Sequence, residues 1–355
     1  MKKHFKKTIR NYAENRFQKT ASSINKIYRG IRLYRSNSSF QAWRFLFRHF
    51  YIRMFNGGAP DLLTIGLTYR CQCSCVHCSS NVPNRKKSEE LETSQVKSII
   101  DQAKSLGIVR TTFFGGEPLL RKDIVELVQY AHDAGMITRI NTNGWLLSRE
   151  LVSKLEDAGL TLCDVSIDDP DSKTHDKLRG LPGLHQKAVE GIRILKDYKI
   201  LCQIVTYASK RNITSGLKQM IELGKKLGVF AVSIVFPMAT GCWYNSLDVL
   251  LSENEKERVR KLGDFHFVHI ELPTQQSKCN VYKKSSLYVS SEGNITPCPF
   301  IPFPLGNIKK HNLDEIWHKF SSGINLNFSG DCPMNDNKYR EILKSRIESI
   351  GKELG

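Results

Sequence analysis

No stretch of this 355-residue chain approaches the roughly 20 consecutive apolar residues that cross a bilayer, so no transmembrane helix is expected. Its ten cysteines are too dilute for a disulfide scaffold and too clustered for core filler. Glycine (24) and proline (12) are too sparse for a collagen or a low-complexity chain; 40% hydrophobic and 25% charged residues are ordinary globular values. Acidic residues are almost missing from one end. Residues 1–55 hold fourteen Lys and Arg against the single Glu14, a net +13 of the chain's +18. Arginines interrupt the apolar positions of that segment and no small-residue cleavage site follows, which does not fit a secretory signal. At about 150 residues per domain, the length predicts two or so domains.

The basic segment has helical periodicity. Phe40, Trp43, Phe47, Phe50, Tyr51 and Met54 fall on one stripe, with Gln41, Arg48, His49 and Arg53 off it. A cationic helix with an aromatic face suits an anionic membrane surface. Packing of the stripe on the rest of the protein explains it as well, and Phe45 and Ile52 lie on the polar side. No RNA-binding motif accompanies the charge, so nucleic acid is not an expected partner. Gly57-Gly58-Ala59-Pro60 reads as the hinge out of this extension, giving expected units at 1–58, 59–240 and 241–355.

Beyond the hinge, short β-branched runs alternate with amphipathic segments. Strands are expected at Leu62–Leu67, Val109–Phe114, Ile137–Asn141, Leu162–Ile167, Ile200–Tyr207 and Phe230–Val235. Helices are expected near 90–106, 122–134, 148–158, 184–197 and 213–227. The alternation predicts an α/β fold with a parallel sheet that closes fully or partly as a TIM-type barrel. Chemistry on such a sheet gathers at the C-terminal strand ends. Cys71, Cys75 and Cys78 follow the first strand, Gly115-Gly116-Glu117-Pro118 the second, and Asn143 the third; Ser166 and Asp168 flank the end of the fourth.

The segment Cys71-Gln72-Cys73-Ser74-Cys75-Val76-His77-Cys78 contains C-x3-C-x2-C with Cys73 inside it. Three thiolates on a short loop can hold three corners of a [4Fe–4S] cluster and leave one iron open. A zinc site wants four ligands and C-x2-C pairs, and fits less well. Gly115 and Gly116 let the backbone approach a ligand closely, Glu117 offers negative charge to an ammonium, and Pro118 stiffens the exit. Taken alone, GGEP is equally a strand-to-helix turn. Ser166, Asp168 and Asn143 offer polar ends to ribose hydroxyls or an amino group. Arg179 can clamp a carboxylate or serve as a surface ion pair.

These motifs resemble those of the radical S-adenosylmethionine superfamily, over about residues 61–240. The resemblance implies a partial (β/α)6 barrel, with Cys71, Cys75 and Cys78 ligating a [4Fe–4S] cluster whose open iron chelates S-adenosyl-L-methionine. It further implies reductive cleavage to a 5′-deoxyadenosyl radical that abstracts hydrogen, with an electron donor such as flavodoxin or ferredoxin. Asp168 fits the family's strand-four Ser-Ile-Asp pattern better than Asp169. His175-Asp176-Lys177-Leu178-Arg179-Gly180 resembles a segment of subfamilies with an extra iron–sulfur domain. Cys73 matches no ligand position, and His77 stands where the family commonly has an aromatic or apolar residue.

Past residue 240 a second cysteine set follows. Ser286–Cys298 reads as a hairpin turning at Glu292-Gly293-Asn294, with Cys298 at the end of the return strand and a short helix at Leu313–Phe320. Cys279, Gly293 and Cys298, with Cys332 downstream, resemble the SPASM/twitch extension that carries auxiliary iron–sulfur clusters. A full extension has seven cysteines. Three here imply at most one auxiliary cluster, its fourth ligand being Cys242, another group or substrate; a tail without metal is the alternative. Cys163 and Cys202, on expected strands, read as core thiols. The expected substrate is a peptide or protein, with a small molecule or membrane lipid as the alternative, and a noncatalytic metal-binding scaffold as the rival class. Reduced thiolates place the protein in the cytoplasm, either free or peripheral on the inner membrane face.

Overall fold

The computed structural model describes residues 60–80, 90–264, 266–271, 279, 281–323 and 332–354. The expected helix stripe at 40–54 and the membrane reading of residues 1–55 lie outside these. Among the described residues no helix is long and apolar enough to cross a membrane.

The first strands and helices alternate. β1 (Leu62–Thr68) leads to α1 (Thr93–Ser105), β2 (Arg110–Gly115), α2 (Ile124–Asp133), β3 (Ile137–Thr142), α3 (Arg149–Asp157) and β4 (Leu162–Ser166). Two helices follow, α4 (Ser172–Arg179) and α5 (Leu184–Leu195), then β5 (Leu201–Tyr207), α6 (Gly216–Leu227) and β6 (Ala231–Val235). After α7 (Glu253–Arg260) come β7 (Val268–Glu271), β8 (Ser286–Val289), β9 (Asn294–Thr296), β10 (Gly306–Asn307), α8 (Leu313–Gly323) and α9 (Asn337–Leu354). All belong to one sheet, ordered β10-β9-β8-β1-β2-β3-β4-β5-β6-β7.

Pairing is parallel from β1 through β7. β8 also lies parallel to β1, with Leu62 opposite Ser286, and only the β8–β9–β10 meander is antiparallel. The C-terminal segment therefore extends the barrel sheet at its β1 edge, a pairing more than 200 residues apart in sequence.

Strand alternation explains the core. Leu63, Ile65 and Leu67 of β1, Phe113, Ile140, Val165, Ile204 and Ile234 point outward and are buried. Against them pack the apolar stripes of the helices, such as Val96, Ile99 and Ile100 of α1 and Leu217 and Met220 of α6. The opposite phase of the same strands carries Thr64, Thr112, Arg139, Asp164, Gln203 and Ser233, so the inner surface is polar. Arg139 donates to Asp164 there, and the Ser233 hydroxyl donates to Glu271 at 3.0 Å.

The C-terminal helix is fastened by Arg340, which is buried. Its Nε and Nη2 donate to the Met334 carbonyl (3.2 and 2.6 Å), its Nη1 to the Tyr244 carbonyl (2.9 Å), and it lies 4.5 Å over the Tyr244 ring. Arg340→Met keeps the bulk but leaves both carbonyls without those donors, so a loss of about 2–4 kcal/mol in urea unfolding is expected. An unchanged midpoint would show that water replaces the guanidinium without cost.

Candidate functional site

The C-terminal ends of β1 to β4 converge on the cysteine loop. Two backbone bonds seat the second motif beneath it: Gly116 N–H donates to Thr68 O at 2.6 Å and Glu117 N–H to Arg70 O at 2.8 Å. Gly115 has φ +144°, and a Cβ on Gly115 or Gly116 would overlap the carbonyls of Thr68 or Arg70. Both glycines are thus required by the chain's own close approach.

Glu117 links the ends of β2 and β3. It is fully buried, and its carboxylate accepts from Leu119 N–H (3.1 Å), the Thr142 hydroxyl (2.8 Å) and Asn143 N–H (2.8 Å). These bonds brace β2 to β3, and burial pushes its pKa up to about 7. Pro118 opens a short 3₁₀ turn and is also buried.

From the other side, α4 grips the loop. Asp171 caps its N-terminus, accepting from Thr174 N–H at 2.8 Å, and Gly180 ends it with φ +63°. Its last carbonyls are not left to water: Ser74 N–H donates to Arg179 O (2.9 Å) and Val76 N–H to Leu178 O (3.0 Å). The same helix places Arg179 inside. Its Nε donates to Asp168 Oδ2 at 2.8 Å, and Nη1 lies 3.9 Å from the Cys75 sulfur. Burial alone would raise the Asp168 pKa, but Arg179, His77 and His175 outweigh it and hold it at about 2. Asp168 Oδ1 is buried without a hydrogen-bond partner. Neighbouring Asp169 is engaged elsewhere, with Arg211 at 2.6 Å.

Asn143 also reaches the loop. Its amide Nδ2 lies 3.4 Å from the Cys73 sulfur, 3.9 Å from that of Cys71 and 3.3 Å from Gln72 Oε1. The Cys73 N–H donates to the Cys71 sulfur at 3.4 Å. The Cys73 side chain lowers the Cys71 thiol to about 6, against the opposing effect of burial. Cys75 is lowered for the same first reason, with Arg179 assisting, and Cys73 is raised. His77 is buried, 3.4 Å from Asp168, with its ring 4.6 Å from Tyr207 and 5.8 Å from Trp243. Tyr207 and Trp243 carry no spacing signal, since one ends β5 and the other follows β6. Ser166 stands at the end of β4, half-buried.

Cys242 joins this loop. Its N–H donates to Cys78 O at 3.0 Å and its thiol lies 3.8 Å from Cys75 O. In the C-terminal set, Cys279 and Cys298 are half-buried and Cys332 is buried, and burial pushes the Cys279 and Cys298 thiols up. Cys279 and Cys332 add to the rise at Cys298. Cys163 and Cys202 are buried on β4 and β5, as expected of core thiols. Among the described residues no three Cys, His, Asp or Glu side chains close around a common point as they stand.

His175 accepts the Asp168 N–H through Nδ1 at 3.0 Å. Burial first, then Arg179, lowers its pKa from 6.5 to about 4; burial does the same to His77. Both imidazoles are therefore neutral in the fold. Their contribution is complete above pH 6.5 and is lost as pH falls from 6.5 towards about 4. His175→Asn, which keeps an acceptor, should flatten the acid limb of the urea-midpoint curve. An unaltered limb would refute the assignment.

A parallel barrel with thiols at its C-terminal rim defines a metal-cofactor enzyme scaffold. Comparison with known proteins specifies it. Residues 65–214 match the Radical SAM superfamily, and residues 279–327 match SPASM, an iron-sulfur cluster-binding domain. An AdoMet-dependent heme synthase of Methanosarcina barkeri is 32% identical over 288 residues, covering 73% of this chain and 82% of that protein. A PqqA peptide cyclase of Gluconobacter oxydans is 26% identical, covering 73% and 76%. In fold, the chain is similar to Streptococcus suis SuiB bound to precursor peptide SuiA, with a TM-score of 0.61, 16% identity, and coverage of 87% and 72%. The chain belongs to the radical SAM superfamily, as an enzyme with a C-terminal SPASM domain. The first domain implies a [4Fe–4S] cluster and S-adenosylmethionine, the second auxiliary iron–sulfur binding.

Proposed function

We propose that Cys71, Cys75 and Cys78 hold the S-adenosylmethionine cluster and that the enzyme removes hydrogen from a peptide or protein substrate, giving oxidation or a cross-link. The observation that carries this is the cysteine loop pinned between the glycine turn and α4, beside Asp168 with its unpartnered buried oxygen. The donor set fits the group: lowered thiol pKa values at Cys71 and Cys75, and polar hydrogens directed at sulfur from Asn143 and Arg179. Bound there, cluster and cosubstrate supply one-electron cleavage of a sulfonium C–S bond and hence a carbon radical able to take hydrogen.

The roles of the remaining residues follow from placement. Asn143, Ser166 and Asp168 offer polar groups to the cosubstrate, and Gly115, Gly116, Glu117 and Pro118 shape the floor beneath it. Arg179 anchors Asp168 and lies against Cys75. Cys279, Cys298 and Cys332 hold at most one auxiliary cluster in a unit beginning near residue 241, a reading the SPASM match over residues 279–327 supports. Because Cys242 contacts the first loop, the fourth ligand there is left to another group or to substrate. The likeness to a peptide cyclase and to a peptide-bound structure supports the peptide class.

Anaerobic reconstitution with S-adenosylmethionine, a low-potential donor such as flavodoxin or ferredoxin, and candidate peptides tests this. The expected result is 5′-deoxyadenosine matched by peptide that has lost hydrogen. Cosubstrate cleavage with no peptide changed would overturn the substrate class. The charge of residues 1–55 favours a second reading, a lipid or small-molecule substrate reached from an anionic membrane face. Liposome binding that survives deletion of residues 1–55 would remove that segment from the account.

A further inference from the structure

One short segment ties the two cysteine sets together. After β6, Ala239, Thr240 and Gly241 are buried, and Gly241–Trp243 form a 3₁₀ turn. The turn is closed by its own bonds, from Trp243 N–H to Thr240 O (2.9 Å) and from Tyr244 N–H to Gly241 O (3.1 Å). It is seated on the N-terminal cysteine loop. Cys242 N–H donates to Cys78 O at 3.0 Å. Gly241, at φ +56°, lies so close that a Cβ there would stand 2.0 Å from Cys78 O and 2.6 Å from the Ser79 Cα. Beside it the Trp243 ring faces His77 at 5.8 Å.

The same segment is fastened on its other side just past Cys298 and Cys332. The Thr240 hydroxyl donates to Phe300 O at 2.8 Å, and Phe300 lies in a turn that Ile301 N–H closes on Cys298 O at 3.1 Å. Ala239 N–H donates to Asn335 Oδ1 at 3.0 Å, while Asn335 N–H donates to Cys332 O at 3.0 Å. Arg340 adds a third tie, from Tyr244 O to Met334 O. Between Phe300 O and Cys78 O stand only Thr240, Gly241 and Cys242. A buried turn held by its own hydrogen bonds has no slack, so a shift imposed at one end reaches the other.

We propose that residues 239–244 form a strap through which the C-terminal cysteine set steadies the N-terminal one, with Thr240 as its positioning residue. Drawing Cys298 and Cys332 onto a cluster fixes Phe300 and Asn335, and with them Thr240 and Ala239. The Cys78 end of the N-terminal loop is then held where its own cluster needs it. This rests on the assignment above of Cys78 to the first cluster and of Cys298 and Cys332 to an auxiliary one. It gives the C-terminal set a mechanical part in the first site.

A double-mutant cycle on the full-length, anaerobically reconstituted protein tests the strap. The readout is the lifetime of the N-terminal cluster under an iron chelator. It is followed in the part of the reduced protein's electron paramagnetic resonance spectrum that shifts when S-adenosylmethionine is added. Cys298→Ala should remove the C-terminal iron and shorten that lifetime about fivefold. Thr240→Val, which loses the hydroxyl, should shorten it as much with the C-terminal iron retained, and the double variant should be no worse than either. Thr240→Ser, which keeps the hydroxyl, should restore the wild-type lifetime. Asn335→Ala cuts the second tie; it should act as Thr240→Val does, and it decides the question where that variant does not fold by circular dichroism. Effects of Thr240→Val and Cys298→Ala that multiply overturn the strap and leave both cluster sites standing. So does a wild-type lifetime in a Cys298→Ala protein that has lost its C-terminal iron. About four irons per chain in the wild type, unchanged in Cys298→Ala, overturns the auxiliary-site reading and the strap with it.

Discussion

Cys75→Ala will strip the N-terminal iron–sulfur centre and abolish 5′-deoxyadenosine formation, whereas Cys73→Ala, two residues away, will spare both. The contrast follows from the loop. A cubane with one open iron needs all three remaining corners, and no fourth cysteine ligand is expected here, so each proposed ligand is indispensable. Cys73 lies between Cys71 and Cys75 in sequence, matches no ligand position, and its N–H donates to the Cys71 sulfur at 3.4 Å. Its replacement by alanine keeps the backbone N–H and leaves Cys71, Cys75 and Cys78 in register. Expected values are a loss of about four iron atoms per chain for Cys75→Ala, with cosubstrate cleavage down by about a thousandfold or more. For Cys73→Ala, iron content should stay at the wild-type level. A Cys73→Ala protein that loses its iron while Cys78→Ala keeps it would reassign the third corner.

Much of this fold was legible because the barrel strands obey local rules. The expected run Leu62–Leu67 is β1, Ile137–Asn141 is β3 short of Thr142, and the pattern near 184–197 is α5. β-branched runs bounded by turn residues carry their own signal. What sequence hid is α4. Asp169-Pro170 reads as a turn, and the helix that follows buries only His175 and Arg179, so it has no apolar stripe to betray it. The pairing of β8 with β1 was equally hidden, since register between distant strands leaves no local trace. β7, four residues long, is too brief for a periodic pattern.

The site divides in the same way. The cysteine spacing and the glycine turn are sequence motifs, but the direction of a side chain is not. Glu117 reads as a negative charge for a ligand's ammonium, and its three donors from its own turn and from the end of β3 leave no local trace in the sequence. Conversely, nothing in Arg179's neighbours announces a buried guanidinium. Only the helix that swings it under the loop, against Asp168, does so.

Gly116→Ala should leave a folded barrel unable to hold its N-terminal cluster. The glycine lies directly against the Tyr69 and Arg70 carbonyls, at the root of the cysteine loop. A methyl group there overlaps backbone, which cannot rotate away as a flexible side chain would. The loop root must therefore move outward, breaking the Glu117 N–H bond to Arg70 O and straining that of Gly116 to Thr68 O. The core between strands and helices does not pass through this point, so Leu63, Ile65 and Phe113 stay packed. Two donors cut from their carbonyls at about 1 kcal/mol each, together with the overlap, predict destabilisation of a few kcal/mol. A disproportionate loss of function should accompany it, because misplacing positioned groups by about 1 Å costs on the order of a hundredfold in rate. Circular dichroism near wild type, loss of the N-terminal cluster's electron paramagnetic resonance signal, and at least that drop in 5′-deoxyadenosine are the joint expectation. Retention of both the signal and turnover would mean that the turn and the cysteine loop are not mechanically joined.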